Sequence, residues 1–326
     1  MQTRRKFLAA TAAMSLGLKA QVQADEWPDR TIKIISPFSP GGTSDVLARV
    51  LADNFSKDMK QSCYVDSRPG AGGMIGASIV AKADPDGYTL LLSGNAPNIL
   101  APAFSPSPPF DGVKDFTHVA YLGGSPVVLV VHPSLPIGSY HEFLDYIKRS
   151  SAPVNYTSSG VGTHGFVFGE QLARIEGLKL NHIPYKGGGA AMVDLIGGQV
   201  KVATITFTSV VAEVRSGALR ALAVSAERRM ASFPDLPTFA ELGHPDWVSA
   251  SWFALSGPKG LPSDIVDKIN REVAVVLDLG TVKRQLEDET VELKVMSPTE
   301  TTKYFEDEAR QWRPVAVALR GNQLAQ

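Results

Sequence analysis

A single cysteine, Cys63, occurs in 326 residues, so no intramolecular disulfide can form and the fold must be held by buried apolar surface. Beyond residue 24 no block of Lys and Arg appears, which excludes the concentrated positive charge that phosphate-backbone binding requires. No later segment reaches the roughly 20 consecutive apolar residues that a bilayer demands. The G-x-S-x-G elbow, the Walker loop and paired histidines at metal-ligand spacing are also missing, so acyl-transfer, nucleotide-hydrolysing and zinc chemistry have no foothold. Neither a cofactor nor a metal is expected.

What is present begins with Arg4, Arg5 and Lys6, followed by an uncharged apolar run from Phe7 to Leu18 and small residues ending at Ala24. That order predicts an export signal over residues 1–24, cleaved near Ala24, and a periplasmic destination. The string from Thr3 to Leu8 also fits a twin-arginine signal, and the general export route stays open beside it. Loss of the segment would remove Arg4, Arg5, Lys6 and Lys19, leaving 28 Lys+Arg against 33 Asp+Glu, a net charge of −5. The remaining 300 or so residues suffice for two domains, and a soluble monomer is the default expectation.

Along this mature chain strand, Gly-rich turn and helix recur, which predicts an α/β fold with largely parallel sheets. Thr31 to Phe38 reads as a buried strand; after Pro40, Gly41 and Gly42, the residues Val46, Leu47, Val50, Leu51 and Phe55 fall at helical spacing. Thr43 or Ser44 is placed to cap that helix. A second unit opens at Arg68 to Gly73, and the strand from Tyr88 to Ser93 runs into Gly94 and Asn95. The apolar strand Val127 to Val131 is read as the crossing into a second lobe. That lobe holds Val154 to Ser158 before Gly160 to Gly165, then Leu180 to Tyr185 before Lys186 to Gly189. The stretch Phe233 to Asp246 is the expected return linker. A long amphipathic helix follows from Pro262, and a helical tail from Pro298 is expected to pack on the first lobe. These readings give one lobe from residues 25–125 and 247–326, and another from 126–246.

Gly-rich turns between the end of a strand and the start of a helix expose backbone N–H groups at the positive end of the helix dipole, which is an anion site without charged side chains. In open α/β sheets such turns gather beyond the carboxyl ends of the strands. A carboxylate between Gly41, Gly42 and Thr43 on one lobe and Gly160, Gly162 and Thr163 on the other would draw the lobes together. The same glycines also serve tight turns, since glycine reaches positive φ without steric cost. Asp45 would stabilise the first helix or order its loop. Phe38 abuts the Gly turn and is a candidate contact, while Trp252 reads as core. His164 can donate to a ligand, cap a helix or act as a base; Tyr185 and Lys186 can close one wall. Gly160 to Gly165 also fits G-x-G-x-x-G, but the strand that follows ends in Tyr185 and Lys186 rather than the acid that would bind a ribose, so an NAD(P)-dependent enzyme is the weaker alternative.

At these residues the chain resembles the substrate-binding proteins of tripartite tricarboxylate transporters, the Bug family. The elements that carry the resemblance are Pro37 to Asp45 (PFSPGGTSD), Arg68 to Gly76 (RPGAGGMIG), Pro85 to Leu90 (PDGYTL), Ser158 to His164 (SSGVGTH), Pro184 to Gly187 (PYKG), Leu219 to Val224 (LRALAV) and Pro237 to Gly243 (PTFAELG). It implies a two-lobed periplasmic binding protein fold that closes on a carboxylated ligand, with backbone amides and ordered water as the grip. It also implies a non-enzymatic receptor whose partner is a two-component integral membrane permease; a sensing module serving a signalling protein shares the same site. The proximal carboxylate would lie between Phe38 to Asp45 and Ser158 to His164. Lys201, and Thr206 to Thr208, depart from the family's usual acids near the distal pocket, leaving the choice among dicarboxylates, tricarboxylates, acidic amino acids and aromatic acids open.

Overall fold

The structure is a computed structural model that describes residues 27–324; the expected export signal and its cleavage position lie outside the described residues. Ten strands form one curled sheet: β1 (Ile32–Ser36), β2 (Cys63–Ser67), β3 (Thr89–Gly94), β4 (Phe116–Val131), β5 (Val154–Ser158), β6 (Leu180–Pro184), β7 (Val202–Thr206), β8 (Arg220–Val224), β9 (Ala250–Pro258) and β10 (Glu292–Leu293). The helices are α1 (Thr43–Asp58), α2 (Met74–Ala81), α3 (Ala101–Phe104), α4 (Tyr140–Arg149), α5 (His164–Glu176), α6 (Gly188–Ile196), α7 (Val211–Ser216), α8 (Ser263–Asp278), α9 (Gly280–Asp288) and α10 (Pro298–Leu324). Among the described residues no helix is long and apolar enough to cross a membrane.

The strand order is β2-β1-β3-β9-β4-β7-β5-β6, with β8 and β10 also on β4. Parallel pairing holds within β2-β1-β3 and within β7-β5-β6, as the strand-turn-helix repeats predict. The strands that join these blocks, β4 and β9, pair antiparallel with their neighbours, so each lobe is a mixed sheet with a parallel block. β4 is the shared spine. Its residues from Phe116 to Pro126 pair with β9, and Val127 to Val131 pair with β7 and β8. Only the second half of this strand is visible as an apolar run; Gly123, Gly124 and Pro126 interrupt the pattern of the first half.

The first lobe's core is built on alternate β1 residues, Ile32 and Ile34, covered by Leu47, Leu51 and Phe55 of α1 and by Ile269 and Val273 of α8. Each of these side chains is almost fully excluded from solvent, and such burial stabilises by roughly 1.5–3 kcal/mol per side chain. The second lobe has a core on each sheet face, one around Phe143, Tyr156 and Phe168, the other around Ala203, Ile205 and Phe207. Phe233 to Asp246, expected as the return linker, packs into these cores instead: Phe239 is fully buried against Tyr140 and Phe168, and Leu236 joins the other face. The return falls just before β9, where Ser249 still donates to Ser225.

Helix α10 does pack on the first lobe, with Phe305 stacked on His118 at 3.6 Å between ring centroids. It then continues onto the second, where Ala316 and Leu319 meet Phe166 and Val167 of α5. The first helix begins at Thr43, one or two residues earlier than a Thr43 or Ser44 cap implies; its N-cap is Gly42 in an extended conformation and no side chain caps it. Thr43 and Ser44 spend their hydroxyls elsewhere, on Ser209 and Ser36, so the capping expectation is corrected.

Candidate ligand-binding cleft

Four strands of parallel character, β1, β5, β6 and β7, end at the same face of the molecule, and the turns leaving them meet across the gap between the lobes. They enclose a cavity between the lobes. The first lobe supplies Phe38, Gly42, Thr43, Gly94 and Asn95; the second supplies Ser159, Thr163, His164, Thr206 and Ser209. Ser251, Trp252 and Phe253 of β9 form the floor.

The donors are backbone amides. The first N–H groups of a helix have no partner inside it, and those of Gly42, Thr43 and Ser44 at α1 find none elsewhere among the described residues. The same is true of His164 at the start of α5 and Gly188 at the start of α6. Three helix N-termini therefore present free N–H groups and positive dipole ends around one cavity. No Lys, Arg, Asp or Glu lines it. His164 is 3% exposed, and burial lowers its pKa to about 4, so the ring is neutral near pH 7. The Asn95 amide nitrogen donates both to the Ala250 carbonyl at 3.2 Å and to His164 Nδ1 at 2.8 Å. With the amide fixed in that sense, Nδ1 accepts and the ring proton resides on Nε2, which has no protein partner.

The lobes touch around this cavity. Ser39 donates its N–H to the Lys186 carbonyl at 3.1 Å, and its hydroxyl accepts from the Ala190 N–H at 3.2 Å. The Thr43 and Ser209 hydroxyls pair at 3.3 Å. Backbones approach so closely that side chains are excluded: a Cβ on Gly189 would lie 1.9 Å from the Pro40 carbonyl oxygen, and one on Gly162 would lie 2.6 Å from the Ala101 Cα. The glycines of these turns thus serve the contact between lobes as much as the turn itself.

Of the residues singled out in the sequence, Phe38, Gly42, Thr43, Gly94, Asn95, Thr163, His164 and Thr206 border the cavity. The others lie outside that lining, each with a local contact of its own. Pro40 and Gly41 sit at the lobe contact rather than in the cavity. Asp45 turns back: its Oδ2 accepts from the Gly41 N–H at 3.1 Å and from Arg49 Nε at 2.9 Å, ordering the loop. Ser158 holds its own turn through the Gly160 N–H and pairs with His182 Nε2 at 2.8 Å. Gly160 and Gly162 take positive φ, and Gly160 lies against the Tyr185 carbonyl. The Tyr185 hydroxyl donates to Asp194, and the Lys186 side chain is exposed.

Ser44 and Ser159 fall within the stretches Phe38 to Asp45 and Ser158 to His164, whereas Gly188, Ser209, Ser251 and the aromatic floor lie outside the residues that the sequence singles out. The Gly187 to Gly189 run was a signal for Gly188, whereas Ser251 and Trp252 belong to a strand whose sequence reads as core. The Trp252 indole N–H donates to the Glu308 carboxylate, whose pKa is raised by burial. Trp252→Phe keeps a ring in the floor but removes one of the two indole donors, with Trp312, of that half-buried carboxylate. A loss of about 1–2 kcal/mol in unfolding free energy is expected by urea denaturation; an unchanged midpoint would show that Glu308 does not depend on this donor.

Comparison with known proteins places this geometry. The family described as tripartite tricarboxylate transporter family receptor matches residues 47–320. Protein BugT of Bordetella pertussis is 37% identical over 300 residues, covering 92% of each chain. Among solved structures, an R. palustris protein with adipate is 32% identical with a TM-score of 0.86, covering 90% of this chain and 98% of that one. MatC from Rhodopseudomonas palustris, with bound malate, is 30% identical with a TM-score of 0.84, covering 89% of this chain and 100% of that one.

Proposed function

The chain belongs to the tripartite tricarboxylate transporter receptor family, and from that membership we propose that it is a non-enzymatic periplasmic receptor that traps a small carboxylate between its lobes and delivers it to a two-component membrane permease. The observation that carries the reading is the convergence of the free N–H groups at the starts of α1, α5 and α6 on a cavity without charged side chains. A carboxylate there accepts from Gly42, Thr43 and Ser44 on one lobe and from His164 and Gly188 on the other, with Asn95 and Thr206 beside it. Relatives solved with adipate and with malate fit the same ligand class.

Binding draws the lobes together because the ligand's contacts bridge them, so the closed state gains free energy that the open state does not. Catalysis has no evident agent: His164 is neutral, and its Nδ1 is engaged by Asn95. The dinucleotide alternative meets a steric objection, since the Gly162 turn is packed against Ala101 and leaves no space for a pyrophosphate.

The reading is tested on the chain from residue 25, freed of co-purified ligand by unfolding and refolding. Thermal shifts are measured against malate, adipate, citrate and benzoate, with NAD and NADP alongside. A carboxylate at 100 times its Kd is expected to stabilise the protein by about 2.7 kcal/mol. A shift with a dinucleotide alone would make Gly160 to Gly165 a cofactor turn and overturn the proposal.

A further inference from the structure

We propose that Glu308 of α10 is a positioning residue for the ligand site, an inference that rests on the carboxylate-receptor reading. Glu308 does not line the cavity. Its carboxylate accepts from the indole N–H of Trp252 in the cavity floor and from that of Trp312, one turn further along α10. Trp312 packs edge-on against the His164 ring, with 4.8 Å between centroids and 69° between planes. His164 opens α5 and offers one of the free backbone N–H groups around the cavity. Through two indoles, one carboxylate thus reaches both the floor and the wall that the second lobe supplies.

The surroundings give the Trp252 indole no other polar outlet. Its ring meets Phe305 at 4.7 Å and Tyr304 at 5.2 Å, both edge to face, and Tyr121 at 6.1 Å. Turned about χ2, the ring would bury its N–H among these aromatics and leave a hydrogen bond unmade. Trp312 packs on two clusters at once, that of Tyr121, Trp252 and Phe305 and that of Leu100, Phe166 and Val167, where α10 passes to the second lobe. Its orientation therefore carries the position of α10 to His164. A carboxylate suits this task because both of its oxygens accept. Glutamine has the same shape but one carbonyl oxygen, and its NH2 group only donates.

Glu308→Gln therefore leaves one of the two indoles without a partner. Calorimetric titration of the refolded protein with malate, adipate, citrate and benzoate tests the consequence, alongside a ligand-free thermal melt. Those that bind the wild type are expected to bind the variant about tenfold more weakly, as the fraction of molecules with both rings in place falls. In a Trp312→Phe background a single acceptor suffices, so adding Glu308→Gln should cost no further affinity. Equal losses in the two backgrounds would mean packing alone and overturn the inference. Equal or tighter binding by Glu308→Gln would overturn it too, tighter binding showing that the carboxylate acts on the ligand by charge repulsion. If Glu308→Gln does not melt cooperatively, Trp312→Phe decides by itself: it keeps a ring on His164 but releases that ring from Glu308, and wild-type affinity would contradict the proposal. If none of the four carboxylates binds the wild type, the receptor reading falls and this inference with it.

Discussion

Gly189→Ala is expected to lower carboxylate affinity by at least tenfold while leaving the fold intact. The new Cβ would stand 1.9 Å from the Pro40 carbonyl oxygen, a backbone atom of the opposite lobe that no rotamer change can move aside. The lobes must therefore separate by an ångström or so, on the order of the overlap of two hard spheres. That separation removes the bond from Ser39 to Lys186 and draws the N–H groups of α1 and α6 away from a shared ligand. Apparent affinity falls in proportion to the fraction of molecules able to close. Gly189 lies in the first turn of α6, where alanine is the better helix former by roughly 0.5–1 kcal/mol, so thermal stability without ligand should be unchanged or slightly higher. Titration calorimetry combined with a thermal melt separates the two effects. Wild-type affinity in the variant would mean that the close approach of α6 to the first turn is not needed for binding.

The second large effect is on acid stability. Three histidines are held neutral by burial, with pKa lowered from 6.5 to about 3 for His118 and to about 4 for His164 and His182. His118 faces Ser256 and the Phe305 ring, His164 faces Asn95 and the Trp312 ring, and His182 faces Ser158 and the rings of Tyr156 and Phe166. None of these partners is a carboxylate that would favour the charged form. Between pH 6.5 and about 4 the unfolded chain takes up protons that the folded chain refuses, so the stability is complete above pH 6.5 and is lost as the pH falls through this window. For His164 or His182 the linkage amounts to roughly 3 kcal/mol. The three act in the same direction, so their losses accumulate as the pH falls. Scanning calorimetry from pH 7.5 to 4 should show Tm falling steeply below 6.5. His182→Gln should flatten that slope, and a Tm independent of pH above 4 would contradict the burial of all three rings.

Much of the site was legible because its chemistry is local. A strand ending in Pro40, Gly41 and Gly42 before an amphipathic run declares a helix N-terminus with free amides, and Ser158 to His164 declares another. What was not legible depended on partners distant in the chain. For Asp45 the sequence leaves helix stabilisation and loop ordering open, because both follow from its place in the first turn; only the folded loop shows its Oδ2 accepting from the Gly41 N–H as well as from Arg49. Trp252 reads as a core residue and is one, at 1% exposed; only the curl of β9 beside β3 places it under the cavity as well. The length of β4 was hidden by Gly123, Gly124 and Pro126, which break the apolar run where the strand passes from one lobe to the other. Phe233 to Asp246 looked like a linker for its prolines and glycines, yet Leu236 and Phe239 are anchors, and two buried apolar side chains outweigh the turn residues around them.

The central claim, that two lobes close on a carboxylate held by helix N-termini, is tested most directly by small-angle X-ray scattering of the ligand-stripped protein before and after saturation with a carboxylate that binds. A decrease in the radius of gyration on binding, absent in Gly189→Ala, is the predicted result; saturation with no change in either protein would contradict closure as the means of capture.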